Sequence, residues 1–488
     1  MSQQKGPSSQ INDINGLSLP HLVAAVITAV IGGGVFTMAG DMAAAGANTG
    51  GVLVGWLVSG LGVFCLMMCF FALSRYKPEL VGGIYSYARA GFGKYMGFLS
   101  AYGYWVSALM AIVSYTTLLF ASLAFFFPLF GEGNNVESVV GASVIIWVCW
   151  FLVSRGVKEA ASVNILTTIA KIVPLFVAIV AIIFSMHFDP AIFMDNFWGE
   201  VDGPSLFDQV VGMVGVSVWI FLGIEGAVVI SGRARYSKDV GRATIIAFVG
   251  ILAIYLLVSI LSMGVMTRAE LAELSNPSMA GVLEAVVGPW GAALVNLGVA
   301  LSLLGAMLGY TIISSECPHE AALQGVFPKA FAKKNKHGAP VVTLTVTCVI
   351  IQIFLILVIA SEQTYQFFYS VSVSMILIPY FFSTLYMLVC VFKKDGFEKV
   401  AGGKLAFYRV IAVLGFFYSV FLIYAGGLTG LMITTILYAP GILLYLYGQH
   451  QRGEAMMSKP IEQVVTAAIV IFFVVSIYCI ATGQIAIS

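Results

Sequence analysis

Charged residues are scarce in this sequence. Only 10% of its 488 residues are Asp, Glu, Lys or Arg, whereas 60% are hydrophobic and the mean hydropathy is +0.98. A soluble globular domain carries about 25% charged residues, so this chain has too little polar surface to cover itself in water. The composition therefore excludes a soluble protein and makes membrane lipid its expected surroundings.

Sequence motifs for catalysis and metal binding are also missing. The seven cysteines lie in or beside apolar runs without metal-ligand spacing, and the five histidines are scattered. No nucleophile motif or phosphate-binding loop is present. The string Ser-Glu-Cys-Pro-His at 315–319 is better explained as a helix end than as a metal site. We therefore expect no enzyme activity, no cofactor and no metal. Because the basic residues follow the loops as topology signals, we also expect no nucleic-acid partner.

Thirteen apolar runs are long enough to cross a bilayer, which takes about 20 helical residues. Each run must be a helix, because lipid offers no partner for backbone N–H and C=O groups. The boundary between the eleventh and twelfth runs, at Gly426–Gly427, is the least distinct. The runs, numbered here as spans 1 to 13, lie near residues 19–45, 51–74, 94–127, 138–154, 161–187, 206–231, 242–266, 286–318, 341–360, 366–392, 405–427, 429–449 and 461–482.

The loop charges predict the orientation in the membrane. Of the 24 Lys and Arg residues, 22 fall in the N-terminal tail, in every second loop or at the adjoining helix ends. The alternate loops hold Arg268 as their one basic residue and are rich in Asp and Glu. The positive-inside rule then places the N-terminus in the cytoplasm, and an odd number of spans places residues 483–488 outside.

Two spans carry glycine clusters near their middle. Span 1 contains Ile31-Gly32-Gly33-Gly34-Val35, and span 6 contains Leu222-Gly223-Ile224-Glu225-Gly226. Each glycine weakens a helix by about 1 kcal/mol relative to alanine. For either cluster alone, tight packing through small residues is the alternative explanation.

The spacing of the two clusters indicates more than packing. They lie five spans apart and, because five is odd, the second five spans run with opposite topology to the first. Paired broken helices in such an inverted repeat form a binding site at the bilayer midplane, where helix N-termini offer N–H groups to a carboxylate. The sequence therefore predicts an all-α integral membrane protein with a five-plus-five (5+5) inverted repeat and broken spans 1 and 6.

Two charged residues lie deep within spans. Glu225 in span 6 has no basic residue within seven positions, and a carboxylate there costs at least about 2.5 kcal/mol unless it faces the bundle interior. We expect a substrate or proton site, with a protonated or helix-paired structural glutamate as the alternative. Lys171 in span 5 either extends towards the cytoplasmic membrane surface or braces span 5 against the broken span 1.

Several motifs resemble a known family. The sequence is similar to the amino acid–polyamine–organocation superfamily over roughly residues 17–450, and within it to the bacterial basic amino acid/polyamine antiporters of the arginine/ornithine type. The motifs that carry this resemblance are Ile31–Phe36 (IGGGVF), Lys77–Ala88 (KPELVGGIYSYA), Ala101–Trp105 (AYGYW), Gly223–Glu225 (GIE) and Gly325–Lys329 (GVFPK).

The resemblance implies the 5+5 fold, alternating access and a place in the bacterial inner membrane. It implies a cytoplasmic tail at 1–18, a transport core of spans 1–10 at 19–392, and peripheral spans 11–13 at 393–488. The implied partners are small amino acids or amines, and the exchange of a cationic amino acid for a related one or its decarboxylated amine is the expected activity. A proton-coupled amino acid symporter is the alternative. The oligomeric state, including a homodimer, stays open.

The resemblance also implies residue roles. The backbone around Val30, Gly33 and Gly34 would hold the substrate carboxylate, and Leu222 and Gly223 would receive the α-amino group. Trp219 would stack on the substrate side chain, where a desolvated cation–π contact is worth about 2 kcal/mol. Tyr104 and Tyr380 would gate or line the cavity, and Ser372 would supply a polar contact from span 10. Glu225 would sense protons or link the site to the inner gate, and Lys171 would take the position of a coupling sodium ion.

The distal pocket departs from the family pattern. Relatives that handle arginine usually have Asn at the position of Ile112 and Trp at the position of Tyr310. Together with Ala108, Ile112 makes this pocket more apolar, although Tyr115 returns a hydroxyl group. The loss of an amide partner would weaken guanidinium binding by about 1–3 kcal/mol. Ornithine, lysine, histidine or a less polar amino acid are therefore open as substrates beside arginine.

Overall fold

The computed structural model describes residues 18–80, 83–156, 161–225, 237–361, 364–455, 457 and 459–482. Within these residues the chain is helical, with no β-strand, and three short 3-10 helices lie at Gly33–Phe36, Pro128–Phe130 and Lys329–Ala332. The α-helices are α1 Leu19–Val30, α2 Met38–Ala44, α3 Thr49–Tyr76, α4 Ile84–Phe92, α5 Lys94–Ala124, α6 Val136–Ser154, α7 Ala161–Phe184, α8 Pro190–Met194, α9 Leu206–Ile220, α10 Ser237–Val265, α11 Arg268–Glu273, α12 Ser278–Val287, α13 Pro289–Leu323, α14 Val341–Ser361, α15 Tyr365–Lys393, α16 Gly402–Ala425, α17 Gly427–His450 and α18 Pro460–Ala481.

Eleven of the described helices are long and apolar enough to cross a membrane: α3, α5, α6, α7, α10 and α13 to α18. They correspond to predicted spans 2–5 and 7–13. Spans 1 and 6 are represented by shorter pieces, α1 with α2 and α9. The chain is thus a multi-pass membrane protein, and the two spans with central glycines are the interrupted ones.

Helix packing follows the repeat of five spans. α1, in the first half, packs on α10, in the second half. The counterpart of α1 in the second half, α9, packs on α3 in the first half. In the same way α5 packs on α15, and α13 packs on α7. If spans 1–5 are matched in order with spans 6–10, each of these pairings turns into the other, and the pairs α5–α13 and α6–α14 map onto themselves. The fold is therefore the inverted repeat that the sequence predicts.

The last three helices pack on earlier spans and on one another. α16 packs on α3 and α15, α17 on α5 and α15, and α18 on α17. The buried residues of α18 are Glu462 and Ser476, whereas its apolar side chains are largely exposed, as in a helix that faces lipid. The boundary of spans 11 and 12 falls at Gly426, with positive φ (+67°) at Gly427.

Four short α-helices lie where the sequence indicated loops. α4 precedes span 3, α8 precedes span 6, and α11 and α12 precede span 8. α11 starts at a capping box in which Thr267 accepts from the N–H of Glu270 and the Glu270 carboxylate accepts from the N–H of Thr267. These four helices have 5 to 10 residues, too few to cross a membrane.

Candidate functional site

The break in span 1 separates α1 from α2. α1 ends at Val30, Ile31 and Gly32 are extended, and a buried 3-10 turn runs over Gly33–Phe36. The N–H groups of Gly33 and Gly34 stand at the start of this turn, so no carbonyl of the same turn can accept from them. The break therefore presents backbone donors in the interior of the bundle.

The break in span 6 begins where α9 ends, at Ile220. The freed carbonyl of Ile220 accepts a hydrogen bond from the Tyr255 hydroxyl at 2.8 Å, which closes this helix end. Residues 221–225 form turns, and Gly223 has φ +102°, a backbone conformation that favours glycine. Leu222 is buried beside it. The second half of the predicted span, 226–231, lies outside the described residues.

Trp219 brings the two breaks together. A Cβ atom on Gly34 would lie 2.7 Å from Cδ1 and 2.8 Å from Nε1 of Trp219, so only a glycine admits the indole there. The ring stacks on Tyr369 at 5.4 Å, and its Nε1–H donates to the Tyr365 hydroxyl at 2.6 Å. Trp219 is 3% exposed. The aromatic side chains therefore cover the break in a closed arrangement.

One face of α5 borders the same region. Tyr104, Ala108, Ile112 and Tyr115 recur at intervals of four, four and three residues, which aligns them on one side of the helix. The Tyr115 ring lies 5.4 Å from that of Trp219, and its hydroxyl lies 3.5 Å from where a Cβ of Gly32 would be. Tyr310 meets Tyr115 edge-on at 5.3 Å. The predicted distal residues Ala108 and Ile112 are buried.

Glu225 is the acidic centre of a second cluster. Its Oε2 accepts hydrogen bonds from the Tyr380 hydroxyl at 2.8 Å and from the N–H of Gly223 at 3.1 Å. Tyr104 is a further partner of the same carboxyl group. Glu225 thus ties the span 6 break to spans 3 and 10.

Lys171 contacts the other broken span. Its Nζ donates to the carbonyl oxygen of Thr28 at 3.2 Å, and Thr28 Oγ1 lies 3.2 Å from Thr168 Oγ1. Thr28 belongs to the last turn of α1, whose carbonyl groups carry the negative end of the helix dipole. This is the bracing geometry, one of the two alternatives for Lys171.

Ser372 hydrogen-bonds to α5. Its hydroxyl donates to the carbonyl oxygen of Ser107 at 2.8 Å and lies 3.1 Å from the Ser107 hydroxyl. These hydrogen bonds join α15 to α5. Tyr365 and Tyr369, which do contact Trp219, were missed by the sequence interpretation because aromatic residues make up 13% of the chain.

A group of possible metal ligands lies at the end of α13. Ligand atoms of Glu316, His319 and Glu320 lie within 4.8 Å of one another. His319 Nδ1 is 2.9 Å from the carbonyl oxygen of Phe331, and Glu316 pairs with Lys334 at 3.9 Å. Two of the three side chains thus have protein partners.

Comparison with known proteins adds independent findings. The family described as amino acid permease matches residues 17–445. A Pseudomonas aeruginosa protein named arginine/ornithine antiporter is 43% identical, with 96% of this chain and 98% of the relative covered. An Escherichia coli K12 protein named putative arginine/ornithine antiporter is 40% identical, with coverage of 89% and 92%. A Chlamydia pneumoniae protein named arginine/agmatine antiporter is 36% identical, with coverage of 98% and 99%.

Proposed function

This chain belongs to the amino acid permease family, and we propose that it is an antiporter that exchanges a cationic amino acid for a related amino acid or for its decarboxylated amine. The observation that carries this proposal is the contact of Trp219 with Gly34, which joins the two interrupted spans inside the bundle. The names of the relatives support exchange over proton-coupled symport.

The proposed substrate position lies between the two breaks. The N–H groups of Gly33 and Gly34 lack acceptors in their own turn and suit a carboxylate. The backbone near Leu222 and Gly223 would receive the α-amino group. For a substrate to enter, Trp219 must leave its present place against Gly34, and its indole face then becomes available for a cationic side chain.

The distal pocket would set the preference among cationic substrates. Ile112 is fully buried, and Tyr310 packs edge-on against Tyr115, so the described lining between them is aromatic and aliphatic. An ammonium group brings three N–H donors, one of which a phenol hydroxyl can accept. A guanidinium group brings five N–H donors and therefore needs more partners. We therefore propose that ornithine or lysine is held at least as well as arginine.

Exchange requires that the loaded protein changes access more readily than the empty one. The hydrogen bonds of Glu225 with Gly223 and Tyr380 supply a connection for this purpose, because they link the proposed amino-group site to span 10. The contact of Lys171 with Thr28 holds a fixed positive charge at the end of α1. Such a charge would occupy the position of a coupling sodium ion, which supports sodium-independent exchange.

The remaining features of the proposal concern placement. We propose a bacterial inner-membrane protein with a cytoplasmic N-terminus and an external C-terminus, as the loop charges indicate. Residues 19–392 would form the transport core, with 1–18 as a tail and 393–488 as peripheral helices. The apolar, exposed face of α18 is available for lipid or for a second copy in a homodimer.

Counterflow in proteoliposomes tests the proposed function. Vesicles loaded with unlabelled ornithine should accumulate labelled ornithine, whereas empty vesicles should not, even with an imposed pH gradient. A panel of unlabelled amino acids and amines inside the vesicles would then identify the second substrate. Uptake into empty vesicles that follows the pH gradient would contradict exchange and favour symport.

A further inference from the structure

A second buried acidic residue lies on the other half of span 1. Asp41 is in α2, seven residues beyond Gly34 in the sequence. Its side chain is buried, with 4% of the residue exposed. With the N-terminus in the cytoplasm, α2 is the outer half of the broken span.

The Asp41 carboxyl group is only partly satisfied. Its Oδ1 accepts a hydrogen bond from Gln366 Nε2 at 3.3 Å, and the Thr37 side chain is a further partner of the carboxyl group, whereas Oδ2 is buried without a hydrogen-bond partner among the described residues. The ion pairs in the described part of the chain do not include Asp41. Burying a carboxylate without a cation costs free energy, so the unpaired Oδ2 indicates a position where a ligand would bind.

The surroundings of Asp41 connect it to the aromatic cover of the breaks. Gln366, its partner on α15, directly follows Tyr365, whose hydroxyl accepts from Trp219 Nε1 at 2.6 Å. On α2, the N–H of Asp41 donates to the carbonyl oxygen of Thr37, and Thr37 Oγ1 lies 3.2 Å from the same Tyr365 hydroxyl. Asp41 and Trp219 therefore both bond to the segment Tyr365–Gln366, and this segment also contacts Thr37 in the segment that carries Asp41.

We propose that Asp41 is an outer binding residue for the positively charged group of the substrate, an ammonium or guanidinium group, occupied before the central site. This inference rests on the proposed function and adds a position to it. A carboxylate oxygen beside tyrosine rings provides the charge-assisted hydrogen bond and the aromatic contact that such cations prefer.

The shared segments also couple the two positions. A cation at Asp41 competes with Gln366 for the carboxylate, and movement of Gln366 also moves Tyr365, the hydrogen-bond partner of Trp219. Binding at the outer position thereby loosens the cover over the breaks. A neutral amino acid makes no such ion pair and gains nothing from Asp41.

The test compares variants in proteoliposomes preloaded with ornithine. Labelled ornithine is supplied at one membrane face or the other. Norvaline, which lacks the side-chain ammonium group, serves as a competitor. Asp41→Asn keeps the shape and removes the charge, so we expect a rise of at least tenfold in the half-saturating ornithine concentration at one face only, with unchanged competition by norvaline. Asp41→Glu should retain part of the ornithine affinity. Glu284→Gln, which removes an exposed carboxylate on α12, should change neither value.

An unchanged ornithine value in Asp41→Asn, or an equal rise at both faces, would overturn the proposal. Failure of the wild type to exchange ornithine would instead refute the proposed function, so exchange by the wild type is measured before any variant is compared. If the variants do not reach the membrane, labelling of wild-type Asp41 by a hydrophobic carbodiimide gives a second measurement. Ornithine should protect Asp41 and norvaline should not; labelling that is indifferent to ornithine would exclude the site.

Discussion

Gly34→Ala is the substitution whose effect follows most directly from the geometry. The added Cβ would lie 2.7 Å from Trp219 Cδ1 and 2.9 Å from Ile220 Cγ2. An ordinary carbon–carbon contact of about 3.5 Å would require the indole to retreat by about 0.8 Å. Tyr369 stacks on that ring at 5.4 Å and Tyr365 holds its Nε1, so little retreat is possible.

Overpacking of this kind costs about 1–3 kcal/mol, which corresponds to a change of roughly 5-fold to more than 100-fold in an equilibrium constant. We expect the closed arrangement to lose this much stability. Because Trp219 must return to Gly34 in every exchange cycle, ornithine exchange in proteoliposomes should fall accordingly. Gly32→Ala is the matched control, because its Cβ would lie 3.5 Å from the Tyr115 hydroxyl, an ordinary contact. Its exchange rate should change less than threefold or so.

A double variant separates the clash from other effects of the methyl group. Without the indole the new Cβ has room, so Gly34→Ala should add little to the loss already caused by Trp219→Ala. Equal exchange rates of Gly34→Ala and Gly32→Ala, or fully additive losses in the double variant, would refute the proposed contact between the two breaks.

Four other predictions concern single side chains. Trp219→Ala should weaken cationic substrates more than neutral ones in competition assays; equal losses would argue against stacking. Glu225→Ala should abolish exchange while the protein still inserts, as judged by its amount in purified membranes, and unchanged exchange would remove Glu225 from the mechanism. Lys171→Met leaves the Thr28 carbonyl without its partner and should cost about 1–3 kcal/mol of stability in thermal unfolding, whereas Lys404→Met, at an exposed position, should not. The hydrogen bond from Lys94 lowers the pKa of Glu454. The pair therefore stabilises the fold above the unfolded-state pKa of Glu454 and loses this effect as pH falls through the folded-state pKa. Because both side chains are about 40% exposed, Glu454→Gln should lower the free energy of unfolding by less than about 1 kcal/mol at neutral pH and leave it unchanged at low pH.

The membrane spans and their breaks could be predicted from the sequence because lipid imposes one strong rule. Every crossing segment must satisfy its own backbone, so an apolar run of sufficient length has to be a helix. Three glycines in span 1 and Gly223 in span 6 then mark where that rule is relaxed. The positions of Gly34, Trp219 and Glu225 agree with this reading: the indole lies on Gly34, and Glu225 bonds to Gly223.

Side-chain partners could not be predicted in the same way. Tyr365 and Tyr369 stand among many aromatic residues, and only the fold shows that they meet Trp219. Asp41 lies near the end of an apolar run, where an acidic residue is typical of a helix end. An ionisable residue inside a membrane segment is nevertheless a functional candidate by default. Helix α11 did leave a signal, the Thr267–Glu270 capping box, but its six residues fall below the length of any spanning window.

A density map of the protein in lipid nanodiscs with ornithine bound would test the central claim most directly. We expect interrupted first and sixth spans, the substrate carboxylate against the N–H groups of Gly33 and Gly34, and the Trp219 indole moved from Gly34 onto the substrate side chain. Continuous helices through Gly34 and Gly223, or ornithine bound away from both, would contradict it.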